Sequence, residues 1–379
     1  MKRRWIWGIL FFAALALNLA AWKSARFVDF YAEHIFPVLG GLSSRILSVF
    51  PFSVGEWMLV AGLILLAFLA LSALLRIFLK KNWTKRLLGV LGRGAAWIFL
   101  ALLWVMTCNC FVLYHASDFE DIYMEAVREN GYSGEELGIL RDYIVANVNQ
   151  LSGQLERDSA GHPICRGDLS EEAVLAMQRM GEEYGRLKGF YPRPKEMYFS
   201  GLLSQTYMMG YYFPFSMEAN YNGSMYSVNK PSAICHEMAH LKGFLQEDEA
   251  SLIGYLACVG SEDPFFRYSG YMGVLSYVEK EFRAYAGKNR GEYDRHPCIL
   301  PQVYQDSVFL TQEAWQEVEK RAVVSTQTAK TVSRAATTAV LKLNGVEEGM
   351  KTYDGVVKLL LDYYDGILYG DVLTTVDRE

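Results

Sequence analysis

Cysteine is scarce: six in 379 residues are too few for a disulfide scaffold. No internal repeat or low-complexity tract is present. Acidic residues are almost missing from the first third. Residues 1–114 hold Asp29, Glu33 and Glu56 against 12 Lys and Arg, a net of +9. Of the chain's 37 basic and 42 acidic residues, 25 and 39 then fall in 115–379, a net of −14. A part so acidic, with no basic run, argues against nucleic acid as a partner. Aromatic residues, by contrast, are plentiful at 14%, which supplies a core and excludes intrinsic disorder. The average composition of 51% apolar and 21% charged residues therefore conceals a chain of two unlike parts.

The first part contains three uncharged stretches, Trp5–Trp22, Trp57–Leu75 and Ala95–Tyr114, of 18, 19 and 20 residues. A bilayer core of about 30 Å takes about 20 helical residues, and lipid cannot satisfy a free backbone amide. Residues 1–114 are thus expected to form a three-helix transmembrane anchor, with the lipid bilayer as partner. The first stretch also has the basic start of a signal peptide, but its apolar run exceeds the usual ~7–15 residues, so a retained helix is expected. Lys2, Arg3 and Arg4 precede the first segment, and Arg76, Lys80, Lys81, Lys85, Arg86 and Arg93 join the second to the third. The loop at 23–56 holds only Lys23, Arg26 and Arg45. Positive charge concentrates on the cytoplasmic side. The N-terminus is therefore expected in the cytoplasm, with residues 115–379 on the outer face of a multi-pass membrane protein.

The outer part reads as mainly α with a small sheet. Ser133-Gly-Glu-Glu136 has the form of a capping box, followed by Leu137, Leu140, Ile144, Val148 and Leu151 on one face. A second amphipathic run, Ala173–Leu187, follows Ser170 as its expected cap. Lys195–Ser200 and Tyr211–Phe215 read as short strands, and 218–223 as a turn. Helices are expected from about Ser232 and at about 247–259, 269–286, 311–340 and 352–364.

The helix from Ser232 carries His236-Glu237-Met238-Ala239-His240. Two His at i and i+4 share one helix face, so both imidazoles can reach one tetrahedral Zn²⁺. Glu237 then stands beside the metal without ligating it, placed to take a proton from the water that attacks a peptide carbonyl. Chance alone yields this pattern in about one chain in 150 of this composition, so the pattern needs context. Cys235, Met238, Ala239 and Leu241 supply an apolar surround, and Gly243 permits a tight turn. No third His lies near. Glu247, Asp248 and Glu249 open the next helix, where the dipole favours carboxylates, and one of them is the expected third ligand.

In this arrangement the sequence resembles the gluzincin zinc peptidases, whose third ligand comes from a second helix. The resemblance puts Glu247 in the ligand position of Glu247-Asp-Glu-Ala-Ser251, with Glu249 as the alternative, and Ser251 where an Asp or Asn usually orients a histidine. The chain also resembles an uncharacterised bacterial membrane family, a domain of unknown function behind a multi-helix anchor. That likeness is carried by Phe213–Asn222, Cys235–Phe244, Glu247–Ala250 and Arg267–Tyr271, and later by Leu341–Gly345 and Gly349–Leu361. It departs at Thr337–Val340, which lack the expected Asn/Asp and aromatic residues. Together these likenesses imply an α+β, zincin-like ectodomain and a zinc metallopeptidase acting on a peptide or protein substrate. The rival is a non-catalytic sensor or scaffold that retains a zinc site. Intramembrane proteolysis is disfavoured, because the motif lies about 120 residues past the last apolar span.

Weaker candidates remain. Arg267, Tyr268 and Tyr271 are candidates to steady a developing oxyanion, against ordinary packing. An edge strand at Tyr211–Phe215 would suit an extended peptide. His162 and His296 read as surface or loop residues, Cys235 as core, and Cys165 with Cys298 as a bridge that spacing alone does not establish.

Overall fold

The computed structural model describes residues 2–124, 131–287, 290–343 and 355–369. These divide into two compact units: Met1–Ala116 with Phe213–Glu218, and Ser117–Tyr212 with Ala219–Glu379.

The first unit is helical: α1 Lys2–Lys23, α2 Ala25–Phe30, α3 Phe36–Leu47, α4 Val54–Leu79 and α5 Asn82–Met106. Three spans, Trp5–Lys23, Val54–Leu79 and Asn82–His115, are long and apolar enough to cross a membrane. The third starts well before the expected Ala95, because Lys85, Arg86 and Arg93 interrupt apolarity without breaking the helix. The segment 23–56, expected as a loop, is mostly helix. Ser24 caps α2 by accepting from the Phe27 N–H, and Pro37 sits in the first turn of α3. Indole and amide groups tie α1 to the third span: Trp7 Nε1 donates to Ala96 O, Trp104 Nε1 to Leu10 O, and Asn18 Nδ2 to Thr107 Oγ1 at 2.9 Å. Such bonds join helices where lipid offers no hydrophobic drive between them. The segment Phe213–Glu218 is held in this unit at three points. Asn109 Nδ2 donates to Pro214 O, Ser44 Oγ donates to Met217 O, and the Glu218 carboxylate accepts the Val54 and Gly55 N–H groups at the start of α4.

The second unit runs α6 Phe119–Tyr123, α7 Gly134–Ser152, α8 Leu169–Glu183, β1 Lys195–Glu196, α9 Ser200–Thr206, β2 Gly210–Phe213, β3 Glu218–Tyr221, α10 Lys230–His240, α11 Glu247–Val259 and α12 Pro264–Ala286. Then come α13 Arg290–Tyr293, α14 Pro301–Asp306, α15 Gln312–Arg321, α16 Thr326–Leu343 and α17 Val356–Tyr364. The capping box at Ser133 and Glu136 is formed on both sides. Asp168 rather than Ser170 caps α8, its carboxylate accepting the Ser170 and Glu171 N–H groups. The expected helix at 311–340 is two helices, separated where the chain leaves α15 at Ala322 with extended backbone.

Residues 218–223, expected as a turn, begin instead with a strand. β3 lies between β1 and β2, parallel to β1 with Lys195 opposite Asn220. Tertiary bonding outweighs the turn propensity of asparagine here. Asn220 Nδ2 donates to Tyr211 O, and Asn222 Nδ2 to Met208 O, so each side-chain NH₂ is anchored to backbone in place. Within the two tail segments that carry the family likeness, residues 344–345 and 349–354 lie outside the described residues, as does the start of the helix expected at 352–364.

Candidate metal centre

The HExxH helix is α10, with Pro231 in its first turn and all of Ala233–His240 except His236 buried. It ends in the tight turn the sequence anticipates: Gly243, at φ +84°, donates its N–H to His240 O. The next residue, Phe244, accepts the Nδ1–H of His240 through its carbonyl at 2.7 Å. The chain then enters α11 at Glu247.

On α11, Glu247, Ser251, Gly254 and Cys258 are spaced by four, three and four residues, one stripe of the helix. This stripe faces α10. A Cβ at Gly254 would lie 3.0 Å from both His236 N and Ser232 O, so only glycine lets the two backbones approach this closely. The approach brings Ser251 to His236. Ser251 Oγ gives its proton to Glu247 O at 2.7 Å and therefore accepts from His236 Nδ1 at 3.2 Å. In the neutral form both imidazoles thus carry their proton on Nδ1, which leaves each Nε2 lone pair available to a metal; without one, a protonated His236 gives its Nε2–H to Glu247.

Those two nitrogens converge on one carboxylate. Glu247 Oε2 is 3.1 Å from His236 Nε2 and 4.0 Å from His240 Nε2. One ligand atom from each of the three residues lies within 4.8 Å of the others, the only such group of three among the described residues. Tetrahedral zinc with bonds of about 2.0–2.1 Å separates its donors by about 3.3 Å. Glu247 Oε2 is near that separation from His236 and somewhat beyond it from His240, and the group as a whole is close enough to draw in around one ion. Glu249 goes elsewhere: its carboxylate accepts the Phe119 N–H at the start of α6, and it is buried.

Glu237, between the two histidines on the same helix, is buried. Its carboxylate accepts the Tyr212 N–H of β2, and a Cβ at Gly210 would sit 2.6 Å from its Cγ. The edge strand β2 is therefore glycine where it passes the glutamate. Sequence reasoning overlooked Gly210 and Tyr212, since a strand residue that serves a distant helix leaves no local pattern. The hydroxyls of the oxyanion candidates Tyr268 and Tyr271 are engaged with other side chains. Tyr268 donates to Asp306 at 2.8 Å, and the Tyr271 hydroxyl pairs with that of Tyr143 at 3.1 Å. His296 bonds Asp142, His162 lies beside Asp158, and Cys165 and Cys298 are unbridged.

Burial sets the charges. It raises Glu237 to about 8 and lowers His240 to about 4, while burial and then Asp118 raise Glu249 to about 8. At His236 burial pulls downward, but the hydrogen bond and charge of Glu247 outweigh it and the pKa rises. Carboxyls raised above their unfolded pKa near 4.5 stabilise the fold fully below that pH and lose this as pH climbs through about 8. A raised His236 acts in the same direction. His240, held neutral, opposes them only between about 4 and 6.5. The metal-free protein is therefore expected to lose stability from pH 6.5 to 8.5, on the order of 3 kcal/mol or more. Thermal unfolding of the chelated full chain in detergent checks this. Glu249→Gln should flatten the fall, and a midpoint that rises over that interval contradicts the assignment.

No curated protein and no solved structure matches the chain. Residues 31–361, most of its length, match the family described as Protein of unknown function (DUF3810). By that match over most of its length, the chain belongs to the DUF3810 family.

Proposed function

We propose that this protein is a membrane-anchored zinc metallopeptidase whose zincin-like second unit hydrolyses peptide bonds on the outer face of the membrane. The observation that carries this reading is the convergence of two Nδ1-protonated imidazoles and one carboxylate beside a further glutamate that is not a donor. His236, His240 and Glu247 would hold the ion. Zinc at such a site is a Lewis acid that brings the pKa of water towards neutrality and polarises a carbonyl. Glu237 takes the proton of the attacking water and passes it to the departing amine. The Tyr212 N–H fixes the carboxylate for that transfer, and the wall at Gly210 leaves it no room to swing away. A peptide extended along β2, at the sheet edge, would run beside Glu237. The outward orientation is supported by nine basic residues, three at the N-terminus and six from Arg76 to Arg93 around the junction of the second and third spans.

The test uses the full chain purified in detergent. We expect about one zinc per chain, cleavage within a broad peptide library, loss of cleavage with a chelator, and recovery on adding zinc. A chain that binds zinc but cleaves nothing in the library supports a sensor or scaffold instead. A chain that binds no zinc defeats both readings.

A further inference from the structure

The stripe of α11 that supplies Glu247, Ser251 and Gly254 ends at Cys258, and this residue meets Cys235 of α10 with 3.9 Å between the sulfurs. Both thiols are wholly buried. They are the one pair among the six cysteines whose sulfurs the structure brings together. Cys258 is also backed from the other side: a Cβ on Gly270 of α12 would fall 2.8 Å from the Cys258 Cβ, so α12 presses the residue towards α10. A disulfide needs its sulfurs at about 2.05 Å. The remaining gap is about 1.9 Å, and the two helices are already in backbone contact at Gly254.

We propose that Cys235 and Cys258 are joined by a disulfide that staples the two helices of the metal centre. The ring so closed, residues 235–258, contains His236, Glu237, His240, Glu247 and Ser251, every side chain that holds or orients the centre. The helix pair then stays together when the metal is lost. The thiols react while the helices are still open, since neither is accessible afterwards. One thiolate attacks a sulfur of an incoming disulfide, carried by a dithiol–disulfide oxidant, and releases its first thiol. The second thiolate attacks the mixed disulfide and releases the other. Two protein thiols and one disulfide become one protein disulfide and two thiols, with no atom or electron unaccounted for. The staple shares with the proposed function only the outward orientation, where such bonds persist; it depends on neither zinc nor peptide cleavage.

The experiment is thiol mapping of the full chain. Membranes are quenched in acid, and the protein is denatured and alkylated with N-ethylmaleimide before any reductant is added, then digested for mass spectrometry. The expected result is four labelled cysteines of the six, with a linked peptide pair carrying unlabelled Cys235 and Cys258. Reduction before alkylation should raise the count to six, and Cys258→Ala should leave Cys235 labelled and the linked pair absent. Label on both Cys235 and Cys258 in the unreduced wild type overturns the staple, whatever the zinc content or activity.

Discussion

Glu237→Gln is expected to lower peptide hydrolysis by about 10²–10⁴-fold while leaving zinc content at the wild-type level. The substitution keeps the side chain's volume against Gly210 and an oxygen to accept the Tyr212 N–H, so neither the sheet edge nor the donor set is disturbed. In the proposed reaction it removes the carboxylate that takes the proton of the attacking water. Burial makes that carboxyl far more basic than usual, at about 8 in the metal-free protein, and the ion's positive charge draws it back towards a range useful near neutrality. Parallel measurement of zinc per chain and of cleavage rate separates this from a folding defect. A variant cleaving within about tenfold of wild type shows that Glu237 is not the base.

The site was legible in sequence where its geometry is local. The i, i+4 histidines need only a helix, and α10 forms between a proline start and a glycine turn. Glu247 required more, because a heptad-like stripe of Glu, Ser, Gly and Cys is readable as a face only once α10 is known to lie against it. The resemblance to gluzincins pointed to that carboxylate; the backbone approach at Gly254 is the physical reason it arrives. Ser251 was singled out as a replacement for the usual acidic partner, and its hydroxyl does accept from His236, because it can spend its own proton on the Glu247 carbonyl.

Other features were illegible for equally physical reasons. The strand at Glu218–Tyr221 is rich in residues that favour turns, and its stability comes from β1, over 20 residues earlier, and from side-chain amides bonded across the sheet. Segment 23–56 lacks a long apolar run, so a hydropathy reading passes over its helices, whose start signals, the Ser24 cap and Pro37 in a first turn, are visible only at short range. The apolar spans were found because length and hydrophobicity are summed over many residues, although their ends were not. Charged residues such as Arg86 extend a helix as readily as apolar ones, and only lipid depth distinguishes them.

Glu247→Ala and Glu249→Gln form the second decisive pair, since both glutamates occupy the first turn of one helix and only one faces the imidazoles. Removing the Glu247 carboxylate leaves two Nε2 donors, fewer than the three protein ligands a catalytic zinc site uses. Zinc affinity should fall by more than the roughly 10–100-fold cost of losing an outer-shell partner, and cleavage should vanish at matched zinc concentration. His236 also loses the charge that raises its pKa. Glu249→Gln should instead keep wild-type zinc affinity, because the amide oxygen still accepts the Phe119 N–H. It should also make the metal-free protein more stable at pH 8, where the buried carboxylate would otherwise be forced to ionise. Competition titration with a zinc chromophore, run alongside thermal unfolding, reads both effects. Equal zinc affinities for the two variants would mean that neither carboxylate discriminates, and the three-donor assignment would fail.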